Sequence, residues 1–265
     1  MAHLITLLTD FGLSDPFVGI MKGVILGIHP ECRLVDLTHD VPPQQIVSGA
    51  LLLRTAVPFF AAGTIHVAVV DPEVGSDRHA LIVETEKALL LGPDNGLLTL
   101  AAEALGVRRI FAIEAGPYTL AAISDTFHGR DVFAAVAAHL ARGVTPEQCG
   151  RQIDALQKLD VPVPNVEGSW IEGKIVHVDH FGNLITNISS DLIARFSAPS
   201  LSVTLGTTHI RGLVTSYSAV PVGAPLAIVG SWGTLEVAIR NGNAAQVLAT
   251  KSGSPVSVVG GAMKT

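Results

Sequence analysis

Val69-Val70-Asp71-Pro72-Glu73-Val74-Gly75-Ser76-Asp77-Arg78-His79 is the stretch on which the reading of the fold turns. It closes an uncharged, Val/Ile-rich run from Thr64 to Val70 that reads as a buried strand. An acid locked against Pro72, a glycine turn and an arginine follow at once. A charged residue placed directly after a parallel-type strand sits at its carboxyl end, where open α/β sheets bind their ligands. A lone Asp-Pro pair is also ordinary turn chemistry. Two further segments repeat the arrangement, however: Leu7-Leu8-Thr9-Asp10-Phe11-Gly12 and Ser124-Asp125-Thr126-Phe127-His128-Gly129-Arg130-Asp131 each set polar groups beside a glycine ahead of a helix-like run.

Outward from that strand, apolar spacing alternates between the two periods. Leu4 to Thr9 and Arg33 to Leu37 read as strands, and Val18 to Ile28 reads as a helix stopped by Pro30. Gln45 to Phe60 has helical spacing, with Pro58 ending it early. Ala80 to Glu84 and Ala88 to Leu91 read as a strand pair, Gly92-Pro93-Asp94-Asn95-Gly96 as a turn, Leu97 to Leu105 as a helix, Arg109 to Ile113 as a strand and Val132 to Arg142 as a helix. Such alternation predicts an α/β sandwich, a mostly parallel sheet covered on both faces. The texture changes after Leu159-Asp160-Val161-Pro162-Val163-Pro164-Asn165. Short β-rich runs separated by Gly, Asn and Pro fill the remainder, with only Leu192 to Phe196 hinting at a helical turn, which predicts a small all-β barrel. The expected division is an α/β domain over 1–160, a linker over 161–165 and a β-barrel domain over 166–265.

Composition narrows the function classes. With 265 residues, 48% apolar and 15% charged, the chain buries a large core. A net charge of −6 offers no basic face for nucleic acid or anionic lipid. The apolar run Ala56 to Val70 is broken by Pro58, Gly63 and His66, and no signal peptide precedes Leu4, so neither a membrane span nor export is expected. Cys32 and Cys149 stand apart without metal-ligand spacing, which reads as reduced cysteines of a cytoplasmic protein.

Several residues are suited to chemistry. Asp10, at the first strand's end, is placed either to take both hydroxyls of a ribose diol or to cap a helix; Asp15-Pro16 is the better cap. No G-x-G-x-x-G follows the first strand, which argues against a dinucleotide. His39, His79 and His128 with Asp71 lack H-x-x-x-H or H-E-x-x-H spacing, so no metal is expected. An Asp, an Arg and a His gathered at one sheet edge suit the orientation and deprotonation of a water. In the second half, Val178-Asp179-His180-Phe181-Gly182-Asn183 breaks a strand with a polar cluster. Asn183 carries donor and acceptor for a purine edge, and Tyr217 offers a stacking surface. Each of these is also explained by β-turn chemistry.

Taken together these motifs resemble the S-adenosylmethionine hydroxide adenosyltransferase family, relatives of the 5'-fluorinases and 5'-chlorinases. The matching pieces are Thr9-Asp10-Phe11-Gly12 with Asp15, Asp36-Leu37-Thr38-His39, Asp71-Pro72-Glu73-Val74-Gly75 with Arg78, Gly92 to Gly96, Phe127 to Asp131, Asp179 to Asn187, and Gly242-Asn243-Ala244-Ala245. The resemblance implies a homotrimer with the ligand between one subunit's first domain and a neighbour's second. It also implies attack of water or hydroxide on C5' of S-adenosylmethionine, giving adenosine and L-methionine, with no cofactor. By motif, Asp71, Arg78 and His128 correspond to the water-activating set and Asp10 to the ribose ligand. Asp179, with Asp15, corresponds to the ammonium site, Asn183 to the adenine reader and Tyr217 to the stacking ring. Phe127, Ser231, Asn243 and Ala245 complete the implied substrate contacts.

Where the fluorinases carry Tyr-Ser, this chain has His128-Gly129, and where they carry a Tyr it has Asp71, whose charge would repel a halide. Their long insertion after the strand at Ala80 is missing. Gln44 replaces a Trp beside the ribose, and Ser231-Trp232 replaces the Ser-Arg pair of the methionine carboxylate site. The His128-Gly129, Asp71 and insertion differences favour water over halide. The competing expectations are a 5'-chlorinase, a non-catalytic binder of S-adenosylmethionine or adenosine, and a metal-dependent hydrolase.

Overall fold

The computed structural model describes residues 4–196 and 200–260 and divides into two units, Met1–Asp160 and Val161–Thr265. The first unit opens with β1 (Leu4–Thr9), α1 (Phe17–Ile28), β2 (Arg33–Thr38), α2 (Ile46–Ala56) and β3 (Ile65–Val69). It continues with β4 (Ala80–Thr85), β5 (Leu89–Pro93), α3 (Thr99–Leu105) and β6 (Val107–Ile113), then a π-helical turn over Gly129–Ala134, α4 (Ala135–Ala141), α5 (Pro146–Cys149) and β7 (Gly150–Ile153). The strands order as β2-β1-β3-β5-β4-β6-β7. Pairing is parallel across β2-β1-β3-β5 and antiparallel across β5-β4-β6-β7. The antiparallel half begins where β4 and β5 are joined by only Glu86, Lys87 and Ala88, too few residues for a crossover. Thr85 holds that turn, its hydroxyl accepting from the Ala88 and Lys87 N–H groups.

Strand alternation explains why both faces carry helices. Ile5, Leu7, Val67, Val69, Ile82 and Phe111 pack with α1 and α4, while Leu8, Ala68, Val70, Leu81, Val83 and Ile110 pack with α2 and α3. After β1 the chain returns to pair β2 on one side of it, then β3 on the other. The gap between the carboxyl ends of β1 and β3 is therefore a topological switch point.

Local chemistry accounts for most element ends. Pro58 stops α2 at Ala56, and the chain turns through a 3-10 segment over Val57–Phe59. Asp15 does not cap α1, contrary to the sequence expectation: the N-cap is Pro16, with no side-chain cap bond. The short α5 and β7 were not read from the sequence; α5 is only four residues, below the reach of periodicity, though Thr145 and Gln148 form a capping box.

The second unit contains β8 (Asn165–Glu167), β9 (Trp170–Val178), β10 (Leu184–Ser189), α6 (Ser190–Ala194), β11 (Ser202–Leu205), β12 (Thr208–Arg211), β13 (Pro225–Val229), β14 (Thr234–Ile239), α7 (Ala244–Val247) and β15 (Pro255–Val259). Its sheet is antiparallel throughout, ordered β12-β11-β15-β9-β10-β14-β13, with β8 on β9. Val214, just past β12, bridges to Ile228 of β13, so the two ends of the sheet meet and the barrel is nearly closed. Ile171, Ile175, Leu184, Val203, Leu235, Val237 and Val258 fill it. Val161–Asn165 runs with this unit, and Asn187 Nδ2 donates to the Pro162 carbonyl at 2.6 Å.

Candidate active site

Asp71 lies just beyond the end of β3 and Arg78 just before the start of β4, so the loop that joins the two strands folds back on itself. Arg78 Nε donates to Asp71 Oδ1 at 2.9 Å, and its Nη2 donates to Asp71 Oδ2. The two side chains are only 5% and 4% exposed, a bidentate pair taken out of water. Arg78 Nη2 also lies 2.8 Å from His128 Nδ1. Asp71, Arg78 and His128 are thus brought into one hydrogen-bonded chain. The loop packs tightly enough that Gly75, at φ +81°, has no room for a side chain: a Cβ there would lie 2.3 Å from the Asp125 carbonyl oxygen.

His128 sits at the start of the π-helical turn, a distortion that recurs at functional sites because it redirects side chains. The loop before it is anchored by Asp131, which is fully buried. Its carboxylate accepts from the Ser124 N–H at 2.9 Å, the Ser124 hydroxyl at 2.8 Å and Arg130 Nε at 2.5 Å. Burial pushes the Asp131 carboxyl up, but the Arg130 and Ser124 bonds outweigh it and hold it below the usual range. Burial and then the Arg78 charge lower His128, against weaker opposition from Asp71, Asp131 and Asp125. Phe133 of the same turn lies under the Arg78 guanidinium, 5.8 Å from ring centroid to Cζ.

At the neighbouring strand end, Asp10 Oδ2 accepts the Gln44 N–H at 2.8 Å and holds Gln44 at φ +65°. Phe127 packs edge-to-face on Phe11 and Phe17, with centroids 6.0 and 5.3 Å apart. Asp15 is exposed. His39 is drawn away from the triad: its Nδ1 is 2.8 Å from Thr9 Oγ1 and its Nε2 3.1 Å from Asp36 Oδ1. Among the described residues no group of three or more His, Cys, Asp or Glu side chains is arranged to hold a metal ion.

In the second unit Asp179, Asn183, Tyr217, Ser231 and Asn243 line one cleft of about 730 Å³. Ala245 lies beside it, its N–H donating to the Gly182 carbonyl at 3.0 Å. Asp179 closes the turn from within, Oδ1 accepting the Phe181 and Asn183 N–H groups at 2.9 and 2.8 Å. Its Oδ2 accepts Asn183 Nδ2 at 2.9 Å, which commits one of the two N–H bonds of that amide. Asn243 Oδ1 accepts the Gln246 N–H and caps α7. Sequence reasoning missed Glu236, Phe181 and Arg240 as lining residues and gave Trp232 no role. The ring of Trp232 stacks on His177 at 5.1 Å and 21°. A charge embedded in the apolar run Leu235-Glu236-Val237-Ala238-Ile239 was the signal available for Glu236.

The family model for the SAM hydroxide adenosyltransferase N-terminal domain matches residues 5–150, and that for the C-terminal domain matches residues 173–257. The chain belongs to the SAM hydroxide adenosyltransferase family. It is 39% identical over 259 residues to the (R)-S-adenosyl-L-methionine hydrolase of Thermus thermophilus, covering 95% of this chain and 98% of that one. The fluorinase of Actinoplanes sp. is more distant, at 28% identity over 212 residues, covering 70% of this chain and 71% of that enzyme. Among solved structures, a conserved protein from Thermotoga maritima superimposes with a TM-score of 0.90 at 35% identity, covering 96% of this chain and 99% of that one. Asp71, Arg78 and His128 lie within the residues matched by the amino-terminal family model, and the cleft-lining Asp179, Asn183, Tyr217, Ser231 and Asn243 lie within those matched by the carboxy-terminal one.

Proposed function

We propose that the protein hydrolyses S-adenosyl-L-methionine by in-line displacement at C5', giving adenosine and L-methionine. The observation that carries this reading is Arg78 clamped between Asp71 and His128 beside the switch point of the sheet. The near full-length similarity to the Thermus thermophilus hydrolase supports it, as does the greater distance of the fluorinase.

The reaction sets the demands on the site. A water oxygen forms a bond to C5', the C5'–S bond breaks, and its electron pair leaves on sulfur as the neutral thioether of methionine; one proton is released from the water. No acid is needed at the leaving group. The work lies in holding and activating water in line with the C–S bond. Arg78, fixed by Asp71, supplies a preorganised cationic donor for the developing hydroxide. His128 is the remaining polar group on that donor, its Nδ1 accepting from Arg78 and holding the guanidinium in place. Asp10 takes the ribose diol, with Phe127 as apolar wall. Asp179, with Asp15, meets the ammonium group, and Asn183 and Tyr217 take adenine; Ser231, Asn243 and Ala245 complete the substrate contacts.

The first unit then acts as the S-adenosylmethionine-binding and catalytic domain, and the second completes the adenine and methionine site. The family resemblance supports a homotrimer in which units of neighbouring subunits share each site. Two buried cysteines support a cytoplasmic location. Among the described residues no helix is long and apolar enough to cross a membrane.

The test is chromatography of S-adenosylmethionine incubated with the purified protein, with and without chloride and with and without chelator. Equal amounts of adenosine and methionine, insensitive to both additions, are expected. 5'-Chloro-5'-deoxyadenosine would make the protein a halogenase, chelator sensitivity would make it a metal hydrolase, and intact substrate would leave it a binder.

A further inference from the structure

The cleft of the second unit is built on the sheet face that looks away from the barrel core. His177 of β9 stands opposite Ile185 of β10, which stands opposite Glu236 of β14. Directly opposed residues share a face, and Leu235 and Val237 on either side of Glu236 point into the core instead. Glu236 is nevertheless only 5% exposed. Its Oε1 accepts the Tyr217 hydroxyl at 2.6 Å. Its Oε2 lies against the backbone of Gly230, where an added Cβ would come within 2.5 Å; the glycine makes room for the carboxylate. Burial pushes Glu236 above the usual carboxylate range; the Tyr217 bond opposes it and the Asp179 charge adds to it. Burial and the bond to Glu236 push Tyr217 up to about 12, so its phenol keeps the proton it donates.

Tyr217 needs such a tether. It begins a three-residue 3-10 turn, Tyr217–Ala219, none of whose residues is buried, and its own side chain is among the exposed hydrophobics at 45%. Packing alone does not fix a ring in that position. The hydroxyl bond to a buried carboxylate does, and it turns the ring into a preformed wall of the cleft that Trp232 and Phe181 also line.

The geometry points to Glu236 as a positioning residue for nucleoside recognition: it holds the Tyr217 hydroxyl so that the phenol ring is set to stack on the planar base before the ligand arrives. This deepens the proposed function and rests on it for the identity of the base as adenine.

The experiment measures adenosine affinity by calorimetry and the kcat and KM for S-adenosylmethionine in wild type, Glu236→Ala, Glu236→Gln, Tyr217→Phe and the Glu236→Ala/Tyr217→Phe pair. Loss of one positioning hydrogen bond predicts a roughly tenfold rise in Kd and KM for Glu236→Ala and for Tyr217→Phe, with a much smaller change in kcat. Glu236→Gln, which retains an acceptor oxygen, recovers most of the affinity. The double variant is no worse than either single one, because both remove the same bond. Multiplying effects in the double variant, or an unchanged Kd in Tyr217→Phe, overturns the proposal. Tyr217→Phe removes one oxygen from a half-exposed ring, so it keeps the test open if Glu236→Ala fails to fold. Wild-type turnover, read alongside, separately decides the hydrolase reading, since adenosine affinity does not depend on turnover.

Discussion

Arg78 Nη2 donates to His128 Nδ1 at 2.8 Å. A guanidinium has no lone pair to offer, so the imidazole nitrogen facing it is the acceptor, and His128 is neutral with its remaining proton on Nε2. Asp71 therefore orients Arg78 and does not touch the imidazole. The bond also fixes how the site responds to acid, since a protonated imidazole facing Arg78 would set two donors and two positive charges against each other.

The pH–rate profile follows. Burial and Arg78 lower the His128 pKa from its ordinary value near 6.5, so activity that requires neutral His128 is fully present above that value and falls only as pH drops through the lower one. The acid limb of kcat/KM for S-adenosylmethionine is expected to have its midpoint below pH 6.5 and to vanish in His128→Gln. A midpoint above 6.5 would mean that the imidazole holds its proton more tightly than a free one, and would contradict the Arg78 hydrogen bond.

Substitutions in the triad separate chemistry from stability. Asp71→Ala leaves the Arg78 charge buried and unpaired, so it is expected to cost about 3–5 kcal/mol of stability in addition to activity. Asp71→Asn, which keeps the shape and one acceptor, is the cleaner kinetic probe. His128→Ala is expected to lower kcat by on the order of 10²–10⁴-fold, and Arg78→Lys by roughly 10²–10³-fold because an ammonium cannot reproduce the fork. Little change is expected in KM. Loss of affinity equal to the loss of kcat would assign these residues to ground-state binding instead.

Asp10 behaves in the opposite way if it takes the ribose diol. Asp10→Ala removes both a ligand for the diol and the acceptor that holds Gln44 at positive φ, so KM should rise by roughly tenfold or more with kcat less affected. 2'-Deoxyadenosine, lacking one hydroxyl, should lose affinity for wild type and gain no further penalty in the variant. Equal discrimination by both proteins would move the ribose contact elsewhere.

The grouping of Asp71, Arg78 and His128 was legible in the sequence because each lies in a turn that follows a strand or precedes a strand or helix, in segments punctuated by Pro72, Gly75 and Gly129, and punctuation of that kind survives in one dimension. The mixed character of the first sheet was only half legible: Ala80 to Glu84 and Ala88 to Leu91 read as a pair, but a propensity pattern carries no strand direction. Glu236 was hidden because a charge in a strand normally marks the solvent face, and here that face is a cleft. Gln44 was read only for what it replaces, because its role rests on one long-range hydrogen bond to Asp10 that no local pattern encodes. The anchoring role of Asp131 was not read, although its partners Ser124 and Arg130 are close in sequence.

The last prediction concerns His66, the second residue of β3, fully buried on the α2 and α3 side of the sheet. Its Nδ1 is 2.7 Å from Thr6 Oγ1, and Nε2 has no hydrogen-bond partner. Burial lowers its pKa to about 4, below the unfolded value near 6.5. Between those values the unfolded chain binds a proton that the folded one does not, so stability rises with pH across that window and is lost as pH falls through it. His66 alone should account for about 2 kcal/mol of lost stability between pH 7.5 and pH 5. His66→Gln keeps a partner for Thr6 but cannot titrate. In urea unfolding at the two pH values, the variant should lose about 2 kcal/mol less than wild type over the same interval. An identical pH dependence in the two proteins would mean that His66 gains its proton without unfolding, and that water reaches the centre of the sheet.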